Sequence, residues 1–306
     1  MSKLQAQPPS EGARDVHANP KVPEFTVPKG AVDAHCHVFG PSNKFPYSPI
    51  RKYTPFDAPA SKLFSLRDHL GFDKNVLVQA SCHGNNNDAM VDCLMRSNGK
   101  ARGVAIVDPD ISDQELERLD RVGVRGVRFN FLKRLVDPTP KSEYLKIAKR
   151  VAKMGWHVVV YFEAEDLEDI APFLEQIPTI VVIDHMGRPD VSLGAAHQQY
   201  KRFVKLMADN PNFWVKVSCP ERLTIAGPPY DDVVPFAKTL VQRFPDRVLW
   251  GTDWPHPNMK THTPDDGLLV DRIPNIATTP RQQFKLLVQN PMRLYWPSHS
   301  TAQETR

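Results

Sequence analysis

Eight short apolar runs, alternating with stretches of helical spacing, constrain this 306-residue chain more than any other feature. The runs lie at 31–38 (AVDAHCHV), 74–80, 101–107, 124–131 (VRGVRFNF), 157–163, 179–185, 213–219 and 247–254 (RVLWGTDW). Segments 112–122, 141–154, 165–176 and 230–244 carry helical spacing and charge, and Ser112 with Glu115 forms a helix start of the capping-box type. Strands that alternate with helices pair in parallel through right-handed crossovers. Eight such units in about 275 residues predict an α/β fold, a closed (β/α)8 TIM barrel. No GxGxxG follows the first run and no GxxxxGK[ST] occurs anywhere, which removes the nucleotide-binding reasons for an open sheet. Residues 1–28, with five prolines, read as an extended N-terminal arm, 29–297 as the barrel and 298–306 as a C-terminal tail. The connections 39–62 and 255–278 are rich in Pro, Asn and Asp and have the length of loops that cover an active-site mouth.

Composition narrows the function classes. Lysine and arginine exceed aspartate and glutamate by four, with no long basic block, so a dedicated nucleic-acid binder is not expected. No apolar run approaches the roughly 20 residues that cross a bilayer. Cys36, Cys82, Cys93 and Cys219 are sparse and irregularly spaced, and the first residues lack the apolar core of a secretory signal. Reduced thiols and a cytoplasmic location are expected. Oligomeric state is left open.

In a barrel of this kind chemistry sits at the C-terminal ends of the strands. The first run ends in Asp33-Ala34-His35-Cys36-His37, and alternation puts His35 and His37 on one face with Cys36 opposite. Two imidazoles so placed can hold a metal or polarise a carbonyl. The sixth run ends in Asp184-His185 and the eighth in Asp253, a carboxylate at the end of an apolar stretch that must be paired or shift its pKa. It suits a general base acting on water. In the fourth run Gly126, Arg128 and Asn130 share the face opposite Val127, Phe129 and Phe131, which directs Arg128 into the barrel. Arg134 and Arg222 follow strand ends, and with Tyr53 and Tyr161 nearby the three guanidinium forks suit a small dianionic organic acid. Cys82 and Cys219 lie near strand ends without a partner pattern for a nucleophile, His83 and His256 are candidates to line the mouth, and Trp250 and Trp254 are expected to pack outward or wall a loop.

An HxH at strand one, a His at strand six and an Asp at strand eight resemble the amidohydrolase superfamily. The longer strings DAHCHVFGP, QASCHG, RGVRFNFLKRLVDP, VIDHMGRPD and WGTDWPHPN, spread over residues 28–297, resemble its 2-pyrone-4,6-dicarboxylate hydrolases. That resemblance implies opening of a pyrone lactone to 4-oxalomesaconate in the protocatechuate 4,5-cleavage route of lignin-aromatic breakdown. It implies Asp253 as the base, His35, His37 and His185 around the lactone carbonyl oxygen, and Arg128, Arg134 and Arg222 on the carboxylates. Tyr53, Ser81, Tyr161 and Asn258 would assist. Metal-dependent members of the superfamily usually add a Lys at strand four and a His at strand five, where this chain has Arg128 with Asn130 and Tyr161 with Glu163. A site with no metal and no cofactor is therefore expected. Two other readings compete: a metal-dependent decarboxylase or a sugar or sulfo-lactone hydrolase on the same scaffold, and a non-enzymatic dicarboxylate binder.

Overall fold

A computed structural model of the chain describes residues 8–297; the proposed tail and the first seven residues of the proposed arm lie outside them. Each predicted run contains one strand: β1 (Val32–Cys36), β2 (Lys74–Val78), β3 (Ala101–Ala105), β4 (Val124–Asn130), β5 (His157–Tyr161), β6 (Val181–Ile183), β7 (Phe213–Lys216) and β8 (Val248–Leu249). They pair in parallel in sequence order. The last segment returns to the first, because Ala34 N–H donates to Trp250 O at 2.9 Å and Asp253 N–H to His35 O at 2.8 Å. The chain is thus an α/β barrel of the predicted class.

Helices cover the outside, among them Ala60–Leu70, Asp88–Arg96, Asp113–Arg121, Lys141–Ala152, Leu167–Leu174, Gln198–Asp209 and Val234–Arg243. Ser112 caps its helix through Glu115 N–H, as its spacing suggests. Alternation divides each strand between two environments. Val127, Phe129, Val158, Val160, Ile183 and Val215 pack against the helices. Val32, Ala34, Val76, Val104, Val159, Val182, Trp214 and Leu249 fill the barrel, and Leu294 and Tyr295 join them at the end where the strands begin. Trp250 stacks outward on Phe72, 5.4 Å between ring centres, and Trp254 is buried in the outer core.

All eight strands stop before their apolar runs do, and after β6 and β8 the backbone shows why. His185 and Met186 have φ of 51° and 58°, and Asp253 has φ of 65°, a left-handed conformation that cannot continue a strand. These breaks turn the side chains of His185 and Asp253 over the open end of the barrel. Close approach between β1 and the segment after β8 also requires Gly251: a Cβ there would lie 2.4 Å from the backbone nitrogen of His35.

Residues 8–28 form neither helix nor strand and lie across the two long connections. Ser10 N–H donates to Thr54 O at 2.8 Å, Arg14 Nε to Lys260 O at 3.1 Å, and Glu24 N–H to Asp271 Oδ1 at 2.7 Å. Beneath the second connection, His256 is not a mouth residue. It is buried, with Nδ1 3.2 Å from Glu221 Oε1 and Nε2 3.1 Å from Asp266 Oδ1. Burial alone would lower its pKa, but the two carboxylates outweigh that and raise it to about 10. His83 likewise turns away from the mouth to pack on Tyr47, 4.8 Å between ring centres.

Gly251→Ala should lower stability by about 1–3 kcal/mol or more through overpacking against backbone, read as the urea midpoint. A folded-state pKa above the free value of 6.5 means that the His256 contribution is complete below pH 6.5 and lost as pH rises towards 10. His256→Ala, which strands two buried carboxylates, should cost about 3–5 kcal/mol and flatten the decline of stability over that window in pH-dependent denaturation.

Candidate active site

The open end of the barrel holds a cavity of about 410 Å³ lined by His37, Tyr53, Ser81, Arg128, Arg134, Tyr161, His185, Arg222, Asp253 and Asn258, together with Ala80, Leu135 and Pro257. Ten of the eleven residues singled out in the sequence meet there; the eleventh, His35, sits directly beneath and is fully buried. Both long connections contribute, the first through Tyr53 and the second through Pro257 and Asn258.

Asp253 is the centre. Its Oδ1 lies 3.1 Å from His37 Nε2, 3.4 Å from His35 Nε2 and 3.9 Å from His185 Nε2. Its Oδ2 accepts from Arg222 Nε at 2.9 Å, while Arg222 NH2 donates to Pro257 O. Burial would raise the Asp253 pKa, but Arg222 and the histidines hold it well below the usual carboxylate range. The acid is therefore ionised in the resting site. His37 Nδ1 lies 2.6 Å from Val78 O and so must donate to it, and its Nε2 faces Asp253 Oδ1 at 3.1 Å. His185 anchors its Nδ1 on Ser218 Oγ at 2.8 Å, and burial and the neighbouring His35 push its pKa well below 6.5.

Under this layer lies a second, in which Arg128 is joined by Asp184 and Lys216, two residues to which the sequence alone assigned no role. Asp184 Oδ2 accepts from Arg128 NH2 at 3.0 Å and from Nε at 3.2 Å, and its Oδ1 lies 3.1 Å from Lys216 Nζ. Burial opposes ionisation of Asp184, yet Lys216, His35 and Arg128 hold its pKa well below the usual value. Arg128 thus points inward as expected, but two of its donors are already committed to Asp184 and NH1 reaches Gln79 O at 3.3 Å. Its exposed partner in the trio, Arg134, pairs with Glu163 at 3.2 Å, and so does Arg188, whose NH1 also donates to the Tyr161 hydroxyl at 3.0 Å. Lys216 was legible in principle: alternation in Trp214-Val215-Lys216-Val217-Ser218 sets Trp214, Lys216 and Ser218 on one face. Arg188 follows a strand end in MGRPD and differs from Arg134 by no local signal. Cys82 and Cys219 are buried, and burial raises both thiol pKa values, which makes them poor nucleophiles.

The imidazoles and Asp253 bring ligand atoms close enough for a metal ion, since His35, His37 and Asp253 meet within 4.8 Å. Charge opposes one. The carboxylates that would ligate it, Asp184 and Asp253, are already held by Arg128 with Lys216 and by Arg222, and Lys216 Nζ also lies on His35 Nδ1. A dication would have to share those carboxylates with the guanidinium and ammonium groups beside it, at the cost of like-charge repulsion in a buried setting. The residues present do not fit a metal centre.

The amidohydrolase family profile matches residues 32–296. A 2-pyrone-4,6-dicarboxylate hydrolase of Comamonas testosteroni is 60% identical over 97% of this chain and 99% of its own length. A 4-sulfomuconolactone hydrolase of Hydrogenophaga intermedia is 36% identical over 91% of this chain and 92% of its own. Among solved structures, an Acinetobacter baumannii protein with citric acid bound superposes with a TM-score of 0.75 at 28% identity, over 87% of this chain and 99% of that one. The chain, by sequence and by fold, belongs to the amidohydrolase family.

Proposed function

We propose that this chain hydrolyses the lactone of 2-pyrone-4,6-dicarboxylate to 4-oxalomesaconate, as a metal-independent and cofactor-free carboxylic-ester hydrolase. The observation that carries the reading is an ionised Asp253 set among three imidazoles on the wall of a cavity flanked by Arg128, Arg134 and Arg222. The Comamonas testosteroni relative, and citric acid in the Acinetobacter baumannii structure, support a small polycarboxylate as guest.

The chemistry follows from the geometry. Asp253 takes a proton from water as the water oxygen bonds to the lactone carbonyl carbon. Charge developing on the carbonyl oxygen is met by imidazole N–H donors from the histidine cluster, an oxyanion-type stabilisation that is strong in a site shut off from water. Collapse of the tetrahedral adduct breaks the ring C–O bond. The ring oxygen leaves as an enolate, an easy leaving group, and the proton held by Asp253 returns to the product.

Arg222 links binding to basicity. In the resting site its fork lies on Asp253 and makes that carboxylate a weak base. A substrate carboxylate drawn to the same guanidinium shares its charge, and Asp253 regains proton affinity when there is a substrate to attack. Arg134 and Arg188, now held by Glu163, stand at the rim to receive the other carboxylate. We place the reaction in the cytoplasm, in keeping with four unpaired cysteines. Among the described residues no helix is long and apolar enough to cross a membrane.

Loss of the pyrone ultraviolet band on mixing with chelator-treated protein is the direct assay. Full activity after chelation is expected; activity restored only by added zinc or manganese, or hydrolysis of 4-sulfomuconolactone in place of the pyrone, would overturn the reading. Asp253→Asn should keep dicarboxylate binding by calorimetry and lose turnover by about 10²–10⁴-fold. Unchanged turnover would remove Asp253 as the base.

A further inference from the structure

The lower layer contains an arrangement that the hydrolytic scheme has not used. Lys216 rises from β7 inside the barrel, fully buried, with Nζ 2.9 Å from His35 Nδ1 and 3.1 Å from Asp184 Oδ1. An ammonium group has three donors and no acceptor, so the ring nitrogen facing it at 2.9 Å accepts from it in preference to donating to Asp184 Oδ1, which lies farther away at 3.3 Å. A neutral imidazole that accepts at Nδ1 carries its proton on Nε2. In His35 that nitrogen points to Asp253 Oδ1 at 3.4 Å and has no hydrogen-bond partner. A buried, unpartnered polar atom at the floor of a reaction cavity is costly unless something arrives to use it.

We infer that Lys216 is a positioning residue that sets the tautomer of His35, presenting its Nε2–H to the carbonyl oxygen of the bound lactone. Asp184 makes this possible. It is the one carboxylate within salt-bridge range of Lys216 among the described residues, and it also carries the fork of Arg128. It keeps the lysine charged where a lone ammonium would shed its proton, since burial lowers the Lys216 pKa and Asp184 acts against that. Burial first, and then the adjacent Lys216, lower the His35 pKa to about 3, so the ring stays neutral and does not compete with the substrate for Asp253 as an imidazolium would. The fixed positive charge stands one imidazole ring behind the developing oxyanion. It polarises the donor in the direction in which a Lewis acid would act, with no metal in the site. His37 has the opposite assignment, with its proton committed to Val78 O through Nδ1. The two histidines of the HxH pair therefore commit their protons on different nitrogens, His35 on Nε2 and His37 on Nδ1.

This inference rests on the lactonase reading, and the experiment separates the two. Long-range proton–nitrogen correlation spectra of the histidine rings in the wild-type protein without substrate, with His35 assigned by comparison with His35→Gln, should show His35 protonated on Nε2. Proton on Nδ1 overturns the proposal whatever the activity. Lys216→Met removes the donor and should cost on the order of 10²–10³ in kcat while leaving KM within about threefold, with the His35 signal losing its single tautomer. A variant that keeps wild-type kcat overturns the proposal. Should Lys216→Met fail to fold, the wild-type spectrum still decides the tautomer. If the wild-type protein does not open the pyrone, the assigned reaction falls while the tautomer measurement stands on its own.

Discussion

Asp184 is the group on which the interior depends. A barrel core is a poor solvent for charge, and two cations inside it would be untenable without a compensating carboxylate. Asp184 lies within 3.1 Å of both Lys216 and Arg128 through different oxygens. That single compensation lets a polar floor exist above the apolar filling of Val76, Val104, Val182 and Leu249. The catalytic layer is built on this floor: His35 stands on Lys216, and Asp253 stands over His35. Exposure rises from layer to layer, from Lys216 and Arg128 at the floor through Arg222 to Arg134 at the rim.

Most of the architecture was readable from spacing. Eight short apolar runs and their intervening helical stretches give a barrel because parallel strands buried on both faces leave few alternatives. The strand ends were less readable. Asp253 and His185 look like the last residues of strands in sequence, yet both have positive φ and belong to turns. No composition signal marks such a break in WGTDWP or VIDHMG, because tertiary contacts with β1 and Ser218 impose it. The placement of the side chains does not suffer, since the turns deliver them to the same rim.

The site divides in the same way. Residues at strand ends, such as His37 and Arg222, were visible because position in a barrel implies exposure to its mouth. Alternation in FWVKVSC places Lys216 on the face of Trp214 and Ser218, but it does not say what the charge meets there. Its partner, Asp184, lies 32 residues earlier on the neighbouring segment, and pairing across strands is not encoded in local spacing. The arginines show the converse limit. Sequence supplies the forks, while their occupation by Asp184, Asp253 and Glu163 emerges only in three dimensions.

The strand of chain that precedes the barrel has a mechanical meaning. Ser10 is bonded to the connection that carries Tyr53, and Arg14 to the one that carries Asn258. One ribbon therefore laces two flaps that come from opposite ends of the polypeptide. A displacement of either flap that kept these bonds would draw the ribbon, and through it the other flap, along with it.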